Sequence, residues 1–153
     1  MEDWRRIDID ALNTDSKLTA EDLKPNIAAI PANQLQTIQQ KILLLQSTGQ
    51  PVEALRLALT QPPYGNSDSE KDAYAKALSD VLVYNKNVND IKDIVLQLDK
   101  AQQDNLVKYL YKIMNQGLAG SVNSGVILNW YDQLTEITGL GPVVRYLSDR
   151  RTV

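Results

Sequence analysis

Residues 106–114 read Leu106-Val107-Lys108-Tyr109-Leu110-Tyr111-Lys112-Ile113-Met114, and seven of the nine are large and apolar or aromatic. Asp99 and Gln102 upstream have the spacing of a capping box, which opens a helix, and Gly117 is placed to close it. A helix that is apolar around most of its circumference is a buried helix. The stretch therefore predicts the central helix of an all-α domain, or a helix shared with a partner surface. Lys108 and Lys112, four residues apart, are read as a single solvated stripe along it.

Helices are expected on both sides. Leu35, Ile38, Ile42 and Leu45 form one apolar stripe ended by Gly49, and Pro51 suits the first turn of the next helix. That helix turns Val52, Leu55 and Leu59 inward and stops at Gln61-Pro62-Pro63. Ser67 and Glu70 repeat the capping-box spacing and open a helix to about Tyr84, with Tyr74, Ala77, Leu78 and Val81 inward. Asn89 is read as the cap of a helix bearing Ile91, Ile94, Val95 and Leu98. A sixth helix runs from about Asn123 to Ile137 and is closed by Gly139; Gly141-Pro142 begins the last, through about Asp149. The prediction is all-α: about seven helices over residues 33–153, in a compact bundle or short α/α superhelix.

Residues 1–32 differ. They hold seven acids and four bases, so the whole net charge of −3 resides there and the remainder is neutral. Ile7 and Ile9 fall on one face of an extended segment, Asp8 and Asp10 on the other. Such a segment builds no core of its own, so it is either disordered or laid on something else. Trp4 beside Arg5 and Arg6 combines the residue types enriched at interface hot spots. Residues 1–32 are expected to be an extended, partner-binding arm.

The chain has no His and no Cys. That removes Ser-His and Cys-His nucleophiles, zinc sites, thiol chemistry and disulfides together. The expectation is a non-catalytic protein without metal or cofactor. No basic stripe is available to neutralise phosphates, which argues against nucleic acid and anionic membranes as partners. The charged start, MEDWRRIDID, has no signal-peptide pattern, and an intracellular protein is expected. Gly139-Leu140-Gly141-Pro142 reads as a helix stop and start, not a dinucleotide loop, and Gln61-Pro62-Pro63-Tyr64 as an inter-helix loop. Arg150-Arg151-Thr152-Val153 is a poor match to a PDZ ligand, and its basic residues are read as capping the last helix.

Three stretches occur in order: Asp3-Trp4-Arg5-Arg6-Ile7-Asp8-Ile9-Asp10, then Leu106-Val107-Lys108-Tyr109-Leu110-Tyr111-Lys112, then Val144-Arg145-Tyr146-Leu147-Ser148-Asp149-Arg150-Arg151-Thr152-Val153. Together they resemble the smallest-subunit family (subunit 5) of the actin-related protein 2/3 complex, in its fungal form. The resemblance implies an all-α body docked on the complex's fourth subunit. It implies an N-terminal arm reaching the actin-related protein 2 subunit and the WD40-propeller subunit, in an assembly that nucleates branched actin filaments. A cytoplasmic location in the actin cytoskeleton, at cortical actin patches, follows from it, with actin filaments as indirect partners. By the same resemblance the arm motif falls on Arg5 to Asp10, a second motif on Lys108 to Lys112, and a terminal motif on Arg150 to Val153. The rival reading from the residues alone is a free-standing helical adaptor that binds a peptide or partner helix.

Overall fold

The computed structural model describes residues 22, 23, 25–85, 87–115 and 123–153. Among them the chain forms seven helices and no strand: α1 (Ala32–Ser47), α2 (Pro51–Thr60), α3 (Asp68–Tyr84), α4 (Val88–Gln97), α5 (Lys100–Met114), α6 (Ser124–Thr138) and α7 (Gly141–Ser148). The arm motif, Trp4 to Asp10, and Gly117 lie outside the described residues.

Local chemistry accounts for most of the helix ends. Gly49, at φ +76°, closes α1: its N–H donates to the Gln46 carbonyl at 3.2 Å and the Gln50 N–H to Leu45 at 2.9 Å, the Schellman pattern. Gly139, at φ +67°, follows α6. At the start of α5, the Gln102 N–H donates to the Asp99 carboxylate at 2.7 Å and the Asp99 N–H to the Gln102 side chain at 3.1 Å. The cap of α4 is Asn87, not Asn89. The Asn87 side chain accepts the Asn89 N–H at 3.2 Å, so the cap sits two residues earlier and Asn89 is already in the first turn.

The helices surround α3 and α5. The central helix α5 packs against α2, α3, α6 and α7; α3 packs against α1, α2, α5 and α6; and α4 lies on α6. Leu106, Val107, Tyr109, Leu110 and Ile113 of α5 are buried among Leu55, Leu59, Leu78, Leu82, Ile91 and Trp130. On α3 the expected Ala77 is only half-buried, whereas Ala75 and Ser79 are buried: a helix with neighbours on two sides buries a wider arc than one stripe.

Helices α2, α3 and α4 end without a glycine cap, and side chains from elsewhere in the fold satisfy some of their last carbonyls. For α2, the Tyr74 hydroxyl donates to Ala58 at 3.0 Å and Asn105 Nδ2 to Leu59 at 2.8 Å. For α3, the Trp130 indole N–H donates to the Leu82 carbonyl at 3.0 Å. For α4, Gln103 Nε2 donates to Val95 at 3.2 Å and Arg56 to Gln97 at 2.9 Å. Secondary structure thereby depends on tertiary packing. Trp130 is fully buried, so Trp130→Phe leaves the Leu82 carbonyl without its donor and a gap beside the smaller ring. Urea unfolding should show a loss of about 2 kcal/mol, with the denaturant slope unchanged; an unaltered midpoint would refute the capping role.

Candidate functional site

Helix spacing puts Lys108 and Lys112 one turn apart on α5, facing the segment that follows α7. They do not form a solvated stripe. Lys108 is 4% exposed, and its Nζ lies 2.6 Å from Asp149 Oδ2 and donates to the Tyr64 hydroxyl at 2.9 Å. Its ammonium also sits 4.6 Å from the Tyr64 ring centroid. Half-buried Lys112 donates to the main-chain oxygen of Val153 at 2.7 Å and pairs with Asp72 at 2.9 Å. The sequence signal for these positions was sound as to helix and face, and misleading as to solvent. A lysine surrounded by apolar residues reads as exposed unless its counterion is known, and Asp149 lies 41 residues away.

The segment after α7 is a strap across α3 and α5. Arg151 folds back on Asp149, its guanidinium donating at 2.8 Å and 3.1 Å and its main-chain N–H at 3.0 Å, so it holds this carboxylate and does not cap α7. Lys71 of α3 donates to the Thr152 hydroxyl at 3.0 Å. The Val153 side chain is buried with the core, so the strap is not presented as a peptide ligand. Arg150 is exposed. The Arg151 bonds, with those from Lys108, hold the Asp149 carboxyl well below the usual carboxylate range, against the opposing effect of burial. Burial pushes the Lys71 ammonium down, opposed by Asp68.

Beside the strap, Tyr111 stacks on Tyr146 of α7, with ring centroids 4.6 Å apart, and meets Tyr131 of α6 edge-on at 5.7 Å. The Tyr111 and Tyr131 hydroxyls are 3.0 Å apart, and this bond, with burial, pushes the Tyr111 phenol up to about 12. Arg145 forks onto Asp104 through two bonds of 2.7 Å, pinning α7 to α5.

Lys108 to Lys112 and Arg151 to Val153, distinct motifs in sequence, are thus brought together by the fold. Lys108, Tyr109 and Leu110 lie inside the domain; Tyr111 and Lys112 are half-buried against the strap. Asp149, Tyr64, Asp72, Lys71 and Tyr146 complete the arrangement, and no spacing rule pointed to them. A cleft of about 580 Å³ lies along the strap, lined by Asp72, Lys108, Lys112 and Tyr146 among others, but its two α5 lysines are already engaged by carboxylates. No group of three or more acidic residues is placed to hold a metal among the described residues. What the arrangement does chemically is to lock the end of the chain onto the central helix.

The chain matches the family described as "ARP2/3 complex 16 kDa subunit (p16-Arc)" over residues 3–153. It is 39% identical over 153 residues to actin-related protein 2/3 complex subunit 5 of Saccharomyces cerevisiae, covering 99% of this chain and 98% of that one. It is 30% identical over 116 residues to the Dictyostelium discoideum subunit 5, covering 75% and 80%. With the human subunit 5-like protein it shares 27% identity over 150 residues, covering 98% and 94%.

Asp149→Asn keeps the side chain's size, removes the anion and leaves the Lys108 ammonium buried without its counterion. Stability at pH 7 should fall by about 3 kcal/mol. The Asp149 pKa is lower in the folded than in the unfolded chain, so its contribution is complete above the unfolded value, about 4, and is lost as pH falls below it. Urea unfolding between pH 7 and pH 2 should show the wild type losing this increment below about pH 4. The variant should show no matching loss, and equal acid sensitivity would contradict the latch.

Proposed function

The chain belongs to the 16 kDa subunit family of the ARP2/3 complex, and we propose from this that its helical body is a docking platform whose N-terminal arm helps hold the actin-related protein 2 subunit in the assembly. It is a structural, non-catalytic subunit of that complex, acts in the actin cytoskeleton, and has the complex's other subunits as partners. In this reading the body, residues 33–153, rests on the fourth subunit. The arm, residues 1–32, reaches actin-related protein 2 and the WD40-propeller subunit. Branched actin nucleation at cortical actin patches is then the activity it serves, with actin filaments as indirect partners.

One observation carries the arm's part in this. The family match begins at residue 3, so the stretch holding Trp4 to Asp10 belongs to the shared pattern and is not an unrelated extension of the helical domain. The physical argument agrees with it. About 30 residues of extended chain span up to roughly 100 Å, enough to bridge two subunits. Ordering such a segment costs conformational entropy, which apolar anchors must offset. Trp4, Ile7 and Ile9 supply those anchors, and Arg5, Arg6, Asp8 and Asp10 set register and charge pairing.

Deleting residues 1–12 from the chain within the reconstituted complex tests this. The body should keep its helical circular dichroism and its place in the complex, while retention of actin-related protein 2 on dilution weakens by about tenfold or more, the loss of one hot-spot anchor at least. Undiminished retention would refute the tether.

A further inference from the structure

Asn66 holds the main chain of Ile30 as a neighbouring strand would. Its Oδ1 accepts the Ile30 N–H at 2.9 Å, and its Nδ2 donates to the Ile30 carbonyl at 2.9 Å. A primary amide carries the same donor and acceptor as a peptide group, so one side chain satisfies both polar groups of one residue. The amide is itself oriented. Glu70 Oε2 accepts from Asn66 Nδ2 at 3.3 Å, and that carboxylate is held by the Ser67 N–H at 3.1 Å and the Ser67 hydroxyl at 2.7 Å. These bonds hold the Glu70 carboxyl below its usual range. Asn66 is 9% exposed, buried for a residue in an inter-helix loop.

Gly65 completes the contact. A Cβ at this position would run into the main-chain oxygens of Ile27 and Ala28, the latter at 2.7 Å, so residues 27–28 occupy the space where any other side chain would begin. The loop carrying Gly65 and Asn66 is anchored on its other side to α5. The Tyr64 hydroxyl donates to Asn105 Oδ1 at 2.6 Å and accepts from Lys108. The main chain at residues 27–30, before α1 begins, is therefore tied through Gly65, Asn66 and Tyr64 to the central helix.

We infer that Gly65 and Asn66 form a clamp that sets the direction in which the arm leaves the body, making them positioning residues for capture of the arm's partner. The inference rests on the tether reading given above. A tail pivoting freely at the start of α1 spreads its anchors over a large volume. Holding it at Ile30 shortens the free part and aims it, which raises the effective concentration of the anchors at their target. The Ser67–Glu70 pair, readable in the sequence as a helix start, here also orients the clamping amide.

Two variants disturb the clamp by separate routes. Asn66→Ala removes both bonds to Ile30, and Gly65→Ala pushes residues 27–28 away while keeping the amide. In the isolated chain, both should speed hydrogen exchange at the Ile30 amide by about tenfold, the loss of one hydrogen bond's protection. In the reconstituted complex, both should reduce retention of actin-related protein 2 on dilution by about threefold to tenfold, the range expected of a lost effective concentration. Deletion of residues 1–12 is measured alongside. If the deletion weakens retention and the two variants do not, the clamp is refuted and the tether stands. If the variants only lower the thermal midpoint, with retention per folded complex unchanged, the loop is structural and the clamp is likewise refuted. If the deletion has no effect either, tether and clamp fall together.

Discussion

A cation at the centre of the buried helix governs how the rest of this domain is arranged. Lys108 lies on α5 between Val107 and Tyr109, both fully buried, and is nearly excluded from solvent itself. An ammonium removed from water without a partner costs several kcal/mol, so the fold must deliver an anion to it. Asp149 is that anion, and it follows α7. The last helix must therefore return across α5, which it does through the Arg145–Asp104 fork and the Tyr111–Tyr146 stack. Tyr64 supplies the second acceptor, which draws the loop before α3 to the same point. One buried charge thus joins the central helix, an inter-helix loop and the terminal strap.

The treatment of helix ends shows the same dependence on distant partners. Where a helix stops at a left-handed glycine, as α1 does at Gly49, its last carbonyls are answered locally. In α2, α3 and α4, which do not, donors come from other helices: Trp130 for α3, Tyr74 and Asn105 for α2, Gln103 and Arg56 for α4. Losing a core residue such as Trp130 therefore removes both packing and a cap. A domain built this way folds as a cooperative unit, which suits the proposed role of a platform for the arm.

The sequence exposes this fold to the extent that its signals are local. Capping boxes at Ser67–Glu70 and Asp99–Gln102, glycines at 49 and 139, and prolines at 51 and 142 mark helix ends within a residue or two. The apolar run of α5 announces a central helix because that property belongs to the helix alone. The fate of the lysines was not legible, since burial of a charge is decided by a partner 41 residues away. The role of the 62–66 loop was equally hidden: Asn66 and Gly65 are ordinary turn residues by type, and only the path of residues 27–30 gives them a task. Asn87 displaced Asn89 as a cap because two asparagines two apart satisfy the same rule, and the backbone decides between them.

The body, on this account, is complete in its own chain: its core closes around α3 and α5, and the strap covers the charged side of α5. In the proposed reading, the arm is the part that needs a partner. Amide hydrogen exchange on the free chain and on the same chain in the assembled complex tests this division most directly. The account predicts that amides of Leu106 to Leu110 exchange slowly in both states, while those of residues 1–12 gain protection only on assembly. Fast exchange of the α5 amides in the free chain, or protection of the arm that does not change on assembly, would contradict it.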